Sequence, residues 1–345
     1  MGPTQLAHSF MRFAEMECRE SSALYELLST RIAEDEELLN LCRVIPRGQP
    51  VPNLLFAGVQ YLLMKGTEHP LKDYYASLTV SPKQPDAEAF ILFKNFCLTY
   101  RDQLEPLLMH RLVQTNEVRR CAYLYPAFSW IHSQTERPLA LIEIGTSAGL
   151  QLLWDQYRYD YGTGETFGSR DACLTIRSEV KADRLPFLLP KSPPVASRIG
   201  FDLHPSDLSD PDDYIWMKAL IWPEHSERRE LFDQAAACLK TNPVQLIQGD
   251  GIELLKTHAD RIPDGAALCV FHTHVANQLP DDTKQALEDT LAAIGEQREL
   301  FHIYNNMHDT QLHLDHYENG TLHPQTIGST DGHGRWFEWR LAKTQ

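Results

Sequence analysis

Apolar residues recur at three- and four-residue steps through most of the first 137 positions of the chain. This spacing places them on one face of a helix, so it predicts an amphipathic, helical region. Asp86 stands where an N-cap is expected for one of the helices. The predicted helical segments are residues 6–42, 54–64, 87–113 with a break near Pro106, and 115–131.

The pattern changes after Pro138, where short continuous apolar runs replace the helical spacing. Runs of this kind are typical of strands that are buried on both faces of a parallel sheet. They occupy residues 139–144, 196–203, 244–247, 267–271 and 299–304, and helical patterns at 149–157, 216–240, 251–258 and 282–297 separate most of them. This alternation predicts an α/β fold with a Rossmann-like, doubly wound, mostly parallel sheet. Residues 311–341 instead predict antiparallel strands.

The helical pattern of the first part of the chain and the alternation of strands and helices in the second part predict two domains. Residues 1–137 form a helical N-terminal domain, and residues 138–345 form the Rossmann-like domain. A segment rich in glycine and proline, at about residues 159–194, is interpreted as an insertion in the second domain.

Composition narrows the class of partner. The formal net charge is −15, which argues against a nucleic-acid or anionic-membrane surface because phosphate binding needs a concentrated positive face. The longest apolar stretch, residues 51–64, is too short to span a bilayer, and charged residues near the N-terminus rule out a secretory signal there. Seven cysteines without a C-x-x-C pair favour a reducing compartment. We therefore expect a cytoplasmic protein with a small-molecule substrate; the oligomeric state is left open.

The first predicted strand leads into the motif Glu143-Ile144-Gly145-Thr146-Ser147-Ala148-Gly149. Small residues at this turn allow the backbone to approach a ligand closely, and a helix that follows offers unpaired N–H groups. The turn therefore predicts a ligand-binding corner.

This motif resembles motif I of class I S-adenosylmethionine-dependent methyltransferases, an acid-x-Gly-x-Gly-x-Gly pattern after the first strand. Glu143, Gly145 and Gly149 match it, whereas Ser147 stands in place of the middle glycine. The resemblance implies that S-adenosylmethionine contacts Glu143, Gly145, Thr146, Ser147, Ala148 and Gly149. It further implies that Asp202, at the end of the second strand, accepts hydrogen bonds from the ribose hydroxyls, and that Asp250, after the third strand, lies near the adenine.

The same turn also spells G-x-S-x-G, the nucleophile elbow of serine hydrolases, with Ser147 as the nucleophile and Asp309 and His333 as one choice of partners. A hydrolase of the α/β type needs several strands before its elbow, and no strand is predicted upstream. Residues 67–144 also lack the glycines of an upstream oxyanion loop. These features favour the methyltransferase interpretation; a non-catalytic binding module that kept the fold is a further alternative.

The whole chain is also similar to an uncharacterised bacterial family known only as a domain of unknown function. The similarity implies a bacterial protein with a helical N-terminal part and a methyltransferase-like C-terminal part, and it supplies no activity. It rests on the runs His69-Pro70-Leu71, Gln114-Thr115-Asn116-Glu117-Val118, Glu143 to Leu150, Tyr157 to Gly162, Trp222-Pro223-Glu224-His225 and Phe271-His272.

Methyltransferases of this class place acceptor-contacting groups after the fourth strand, which here reads Phe271-His272-Thr273-His274. His272 and His274 share a face if the strand extends that far, and either is a candidate general base for a hydroxyl or carboxylic acceptor. The segment lacks the Asn/Asp-Pro-Pro-aromatic motif of many amino-group methyltransferases, which disfavours simple N-methylation.

Two other groups of residues are candidates for a functional role. Eight of the fifteen histidines lie between His272 and His333, a possible source of metal ligands, but no local metal-binding signature occurs and we predict no metal site. Arg111, Gln114, Arg119 and Arg120 precede or begin a predicted helix, where they form either a lid over the cofactor or a solvated basic face.

Overall fold

The computed structural model describes residues 2–182 and 185–341. Its α-helices, numbered in chain order, are α1 (Pro3–Phe13), α2 (Ala23–Ile32), α3 (Glu36–Leu41), α4 (Val51–Met64), α5 (Ala87–Thr99), α6 (Arg101–His110), α7 (Cys121–Thr135), α8 (Pro211–Ala219), α9 (Ser226–Thr241), α10 (Gly251–Ala259) and α11 (Asp281–Gly295). A π-helical turn at Ala14–Cys18 follows α1. Short 3₁₀ turns occupy Cys42–Val44, Pro70–Tyr74, Val118–Arg120, Leu150–Gln156 and Ala276–Gln278.

The strands of the described residues begin only after α7. They are β1 (Leu139–Ile144), β2 (Arg158–Asp160), β3 (Thr166–Gly168), β4 (Thr175–Arg177), β5 (Glu179–Val180), β6 (Val195–Asp202), β7 (Gln245–Gln248), β8 (Ala267–His272), β9 (Leu300–Asn305), β10 (Gln311–Glu318), β11 (Thr321–His323), β12 (Thr326–Ser329) and β13 (Trp336–Phe337). The five long runs predicted as parallel strands appear as β1, β6, β7, β8 and β9, with ends displaced by at most one residue.

These five strands form a parallel sheet in the spatial order β7-β6-β1-β8-β9. Strand β10 joins the β9 edge antiparallel, and β11 and β12 pair antiparallel with β10. The prediction of an α/β fold with a mostly parallel central sheet and an antiparallel tail is confirmed. The chain leaves β1 towards β6 on one side and later returns to β8 on the other, so the connections reverse direction between β1 and β8.

Both faces of the sheet are covered, which explains why the central strands read as continuous apolar runs. On one face, Ala140, Ile142 and Val270 join a buried cluster with Leu255 of α10 and Leu287 of α11. On the other face, α7 contacts β8 and β9, and its Phe128 ring packs edge-on against Phe271, with centroids 5.4 Å apart. Strands β1, β8 and β9 are consequently buried along their whole length.

Contacts within the chain define two compact units. One contains the residues up to Thr115 together with Leu208–Glu230, and the other contains Asn116–Asp207 together with the residues from Leu231 onward. In the described residues the first unit is helical, and the strands belong to the second. The predicted boundary after residue 137 remains a prediction about domains; the contacts group α7 with the sheet and α8 with the first unit.

Several helix boundaries differ from the prediction. The break expected near Pro106 lies at Tyr100, and α6 contains Pro106 in its interior. The helix expected from residue 115 begins as a 3₁₀ turn at Val118 and becomes α-helical at Cys121, because the Asn116 side chain is engaged with the β1 turn instead of capping a helix. Residues expected to be helical after Gly149 form the 3₁₀ segment Leu150–Gln156.

Two small sheets complete the second unit. Strands β2, β3 and β4, in the order β3-β2-β4, lie within the segment that the sequence marks as an insertion. Strand β5 pairs with β13 near the C-terminus. Within the described residues, none of the helices has the length and apolar character needed to cross a bilayer.

Candidate functional site

The carboxyl ends of β1, β8 and β9 meet at one edge of the sheet because the three strands are parallel neighbours. Beyond each end, one non-glycine residue adopts a left-handed backbone: Ser147 with φ +52°, His274 with φ +55° and Asn306 with φ +60°. L-residues rarely occupy this region, and residues held there cluster at ligand-binding and active sites. Three such residues after neighbouring strands make this edge the candidate site.

The turn after β1 is held by backbone hydrogen bonds from the Gly145 and Thr146 N–H groups to the Phe201 carbonyl of β6, at 2.8 and 3.1 Å. Gly145 has φ +71°, and a Cβ placed there would lie 2.5 Å from Cγ2 of Val275. The turn therefore needs glycine for both its conformation and its packing. Thr146 and Ala148 are fully buried, and Ser147 is nearly so.

Asp202, at the end of β6, lies against this turn, and its contact with ribose hydroxyls remains a prediction. One carboxylate oxygen accepts the Ser147 N–H at 2.8 Å, and the other accepts the His204 N–H at 2.9 Å. These two bonds anchor the Asp202 carboxylate between the turn after β1 and the segment that follows β6. The structure thus brings together Glu143, the turn and Asp202 from two strands.

Glu143 is buried beneath the turn, where Thr146 Oγ1 donates a hydrogen bond to its carboxyl at 2.6 Å. Burial raises the pKa of Glu143 to about 8; the Asp202 charge adds to this increase, while the Thr146 hydrogen bond and the Arg120 charge oppose it. The carboxyl is therefore mostly protonated at neutral pH and contributes no full negative charge to the site.

Asp250 has a structural task. Its side chain caps α10 by accepting the N–H groups of Ile252 and Glu253, at 2.9 and 3.2 Å. This N-cap bond accounts for an aspartate at the position without any ligand. The adenine contact expected of Asp250 remains a prediction.

His272 and His274 differ in surroundings. Strand β8 ends at His272, and the left-handed backbone of His274 means that the two side chains do not share a strand face as the longer strand would have required. His272 is buried next to the His302 ring, with centroids 5.1 Å apart, and burial lowers the pKa of His272 to about 4. It is therefore a core histidine in the described structure.

His274 instead belongs to the edge of the sheet. Its N–H donates to Asn305 Oδ1 at 2.8 Å, and its ring Nδ1 lies 3.2 Å from the Asn306 side-chain amide nitrogen. Since an amide nitrogen donates, Nδ1 is the acceptor, and the proton of the neutral ring lies on Nε2. Burial, with the Arg120 and His333 charges, lowers the pKa of His274 to about 3. The catalytic roles expected of His272 and His274 remain predictions.

Arg120 is the residue that the sequence-based site prediction undervalued. Its side chain is buried, and it donates to the carbonyls of Gly332, at 3.0 Å, and Thr273, at 3.4 Å. No carboxylate within the described ranges forms an ion pair with it. A buried guanidinium is costly without a counter-charge, so this edge favours an anion. Its only sequence signal was a charged pair directly before an apolar helix.

The remaining residues that the sequence suggested for a function do not join this site. Arg111 pairs with Asp213 at 2.6 Å within the first unit. Asp309 pairs with His313 and His333 with Glu117, so the Asp309–His333 pair suggested for a hydrolase is not assembled. In the part of the chain that the structure describes, no group of three or more His, Cys, Asp or Glu residues is placed to hold a metal ion.

The fold and this edge define an α/β protein with a candidate ligand site at the carboxyl ends of its parallel strands. A family model described as "Uncharacterized protein conserved in bacteria (DUF2332)" matches residues 7–339. The chain therefore belongs to this bacterial family, which confirms the whole-chain resemblance. No curated protein and no solved structure matches the chain significantly.

Proposed function

We propose that the protein binds S-adenosylmethionine at the carboxyl edge of β1 and β6 and transfers its methyl group to a small, acidic acceptor. The strand order β7-β6-β1-β8-β9 carries the proposal. It is the 3-2-1-4-5 order of a Rossmann-like, doubly wound sheet, in which ligands bind where the connections reverse, here between β1 and β8. The methyltransferase assignment itself rests on the resemblance of residues 143–149 to motif I.

The residues at this edge fit such a cofactor. Asp202 lies beside the turn at the end of β6, where the resemblance expects the acid that contacts the ribose, and Glu143 is neutral, so it adds no charge to repel the cofactor carboxylate. The turn residues Gly145 and Gly149 both have positive φ, a backbone conformation for which the motif's glycines are suited. When bound, S-adenosylmethionine would supply an electrophilic methyl group on a sulfonium.

Arg120 and His274 define the acceptor side of the proposal. An acidic acceptor would provide the counter-charge that the Arg120 guanidinium does not receive from the described residues. His274 is placed to donate from Nε2 rather than to remove a proton, because its Nδ1 already accepts and its pKa is lowered to about 3. This favours an acceptor whose reacting atom is already ionised, such as a carboxylate oxygen, and which needs only to be positioned.

Titration with S-adenosylhomocysteine by calorimetry tests the cofactor part of the proposal. We expect micromolar binding by the wild-type protein and at least about tenfold weaker binding by Asp202→Asn, since hydrogen bonds to a charged group contribute about 1.5–3 kcal/mol. Asp264→Asn is the matched control, because Asp264 is exposed and precedes the opposite end of β8. Arg120→Gln should retain wild-type affinity for this probe.

The possible outcomes of the titration test different parts of the proposal. No heat of binding with sub-millimolar probe would refute the cofactor assignment. A loss of affinity in Arg120→Gln would assign Arg120 to the cofactor carboxylate rather than to the acceptor. Binding of the cofactor without methyl transfer to any acidic acceptor would favour a non-catalytic module.

A serine hydrolase is the second candidate, because Ser147 has the left-handed backbone, φ +52°, expected at the centre of a nucleophile elbow. Against it, β1 is the first strand of the described residues, and Asp309 and His333 have different partners. A fluorophosphonate probe separates the two functions. The methyltransferase proposal predicts no labelling of Ser147, whereas labelling that Ser147→Ala abolishes would establish the hydrolase.

A further inference from the structure

A cleft of about 930 Å³ opens on the first unit, and all of its lining residues belong to that unit. One wall is a polar face of α1, and the other is formed by the turn at residues 46–49 and the start of α4. Pockets that bind small organic molecules have volumes of about 300–1,000 Å³. The cleft is therefore large enough for such a ligand, and it shares no residue with the candidate site at the strand ends.

The helical period explains what α1 presents to the cleft. Its buried residues, Leu6, Phe10 and Phe13, recur at three- and four-residue steps and share one face. His8 and Arg12 lie one turn apart on a different face, where both are exposed and line the cleft. Phe13 follows Arg12 and also lines the cleft, although it is only 3% exposed. Helix α1 thus supplies a positive charge beside an aromatic ring.

The opposite wall combines a second arginine with a rigid apolar surface. The Gln49 N–H donates to the Pro46 carbonyl at 3.3 Å and closes a turn in which Gly48 has φ +91°. Arg47 lies within this turn, is exposed and lines the cleft. Pro52, in the first turn of α4, is buried and lines the cleft as well. Each wall therefore carries one guanidinium and one apolar ring.

The charges of the cleft favour an anion. Among the residues that the structure describes, neither Arg12 nor Arg47 forms an ion pair, whereas Lys94 in the same unit pairs with Asp35 at 2.7 Å. Glu17 is the acid among the lining residues; burial raises the pKa of its carboxyl, and the Arg12 charge opposes that increase. The chain as a whole has a net charge of −15, so two arginines against one acid make this cleft a local exception.

We propose that this cleft binds a small organic anion, whose carboxylate is held by Arg12 and Arg47 and whose flat apolar body lies on Phe13 and Pro52. A guanidinium binds a carboxylate through two parallel N–H···O bonds, and the two rings remove the apolar body of the ligand from water. His8, one turn before Arg12, adds an imidazole to the same wall. Binding here needs neither S-adenosylmethionine nor methyl transfer, so it is independent of the proposed function.

Calorimetric titration of the full-length protein with 2-naphthoate, at neutral pH and low salt, tests the site. The probe joins a carboxylate to a flat apolar body, and we expect saturable binding of one molecule per chain. Arg12→Gln and Arg47→Gln should each weaken binding at least about fivefold, because each removes charge-assisted hydrogen bonds. The double variant should show no binding. 2-Naphthamide, which has the same body without the charge, should bind much more weakly than 2-naphthoate.

Arg43→Gln is the matched control, because Arg43 is an exposed arginine nearby in the sequence that bonds the Asn40 side chain and does not line the cleft. It should bind 2-naphthoate as the wild-type protein does. The proposal is overturned if the wild-type protein does not bind the probe, if 2-naphthamide binds equally well, or if Arg12→Gln and Arg47→Gln keep wild-type affinity. A loss of affinity in Arg120→Gln would also overturn it, because the probe would then bind at the strand ends.

Discussion

The ionisation of Glu143 is set by its burial. The side chain is 2% exposed, the Thr146 hydroxyl donates a hydrogen bond to it, and its pKa is about 8. An acid in the first strand of a Rossmann-like sheet was visible in the sequence, but its neutral state was not. That state depends on the burial of Glu143 beneath the turn after β1, which no local pattern encodes.

Glu143→Gln tests this neutral state. The folded pKa lies above the ordinary value of 4.5, so the favourable contribution is complete below pH 4.5 and is lost as the pH rises through 8. The wild-type protein should lose stability between pH 5 and 9, with a slope of at most about 1.4 kcal/mol per pH unit from this group. Glu143→Gln should remove that slope in urea unfolding measured at pH 5, 7 and 9.

Glu253→Gln is the matched control, because Glu253 is an exposed carboxyl on α10 and should leave the pH profile unchanged. Equal slopes in the wild-type protein and Glu143→Gln would show that Glu143 is ionised in the folded state.

Among the elements, the turn after β1 packs tightly against the segment after β8. Gly145 meets the Val275 side chain closely enough that any Cβ would overlap it. One residue of the run Trp222-Pro223-Glu224-His225 has a structural contact. Glu224, in the segment between α8 and α9, accepts hydrogen bonds from the Ser22 hydroxyl and the Leu24 N–H at the start of α2.

Gly145→Ala should destabilise the fold through both its positive φ and its overlap with Val275. We expect a loss of about 2–4 kcal/mol, the sum of about 1 for the backbone and about 1–3 for overpacking. In Gly145→Ala/Val275→Ala the overlap disappears, so the double variant should be more stable than the sum of the single losses by about 1–3 kcal/mol. Chemical denaturation of the four proteins measures this coupling.

Gly164→Ala is the control for the backbone cost alone, because Gly164 has φ +83° but a methyl group added there would meet no atom within 4 Å. It should show no coupling to Val275→Ala. If the losses of stability in Gly145→Ala and Val275→Ala simply added in the double variant, the steric explanation would be contradicted.

For the whole molecule, stability depends on pH through buried histidines as well as through Glu143, and the two effects have opposite signs. Acid removes the stability that the neutral histidines contribute, whereas base removes the contribution of Glu143. His302 stacks on Tyr304 with ring centroids 4.4 Å apart and is next to His272, and burial lowers the pKa of both imidazoles. The folded protein holds them neutral, whereas the unfolded chain takes up protons near pH 6.5. The contribution of His272 to stability is therefore complete above pH 6.5 and is lost as the pH falls through about 4, and that of His302 is lost in the same direction as the pH falls.

His302→Phe should make the protein less sensitive to acid, because phenylalanine retains the stacking on Tyr304 and cannot be protonated. The loss of stability between pH 7 and 5 should become shallower by at most about 1.4 kcal/mol per pH unit, measured by urea unfolding. His308→Gln, a change at an exposed histidine paired with Glu288, is the control. If His302→Phe lost as much stability between pH 7 and 5 as the wild-type protein does, the buried imidazole of His302 would not be the cause of that loss.

Much of the fold could be predicted from local patterns. The apolar runs of β1, β8 and β9 located the central parallel strands, because a strand buried on both faces must be apolar throughout, and shorter apolar runs located the partly exposed β6 and β7. The boundaries around Pro106 and Asn116 were wrong, because a proline was accommodated within α6 and the Asn116 amide bonds the Thr146 carbonyl. Neither helix boundary is determined by the residues next to it in the sequence.

The sequence by itself determined which residues form the parallel strands and where the left-handed turn after β1 lies, since periodicity and glycine act locally. Only the tertiary structure decided that Asp202 meets Ser147, that His272 lies in the core and that Arg120 joins the strand ends. These outcomes depend on which distant segments pack together, and packing is a property of the whole chain.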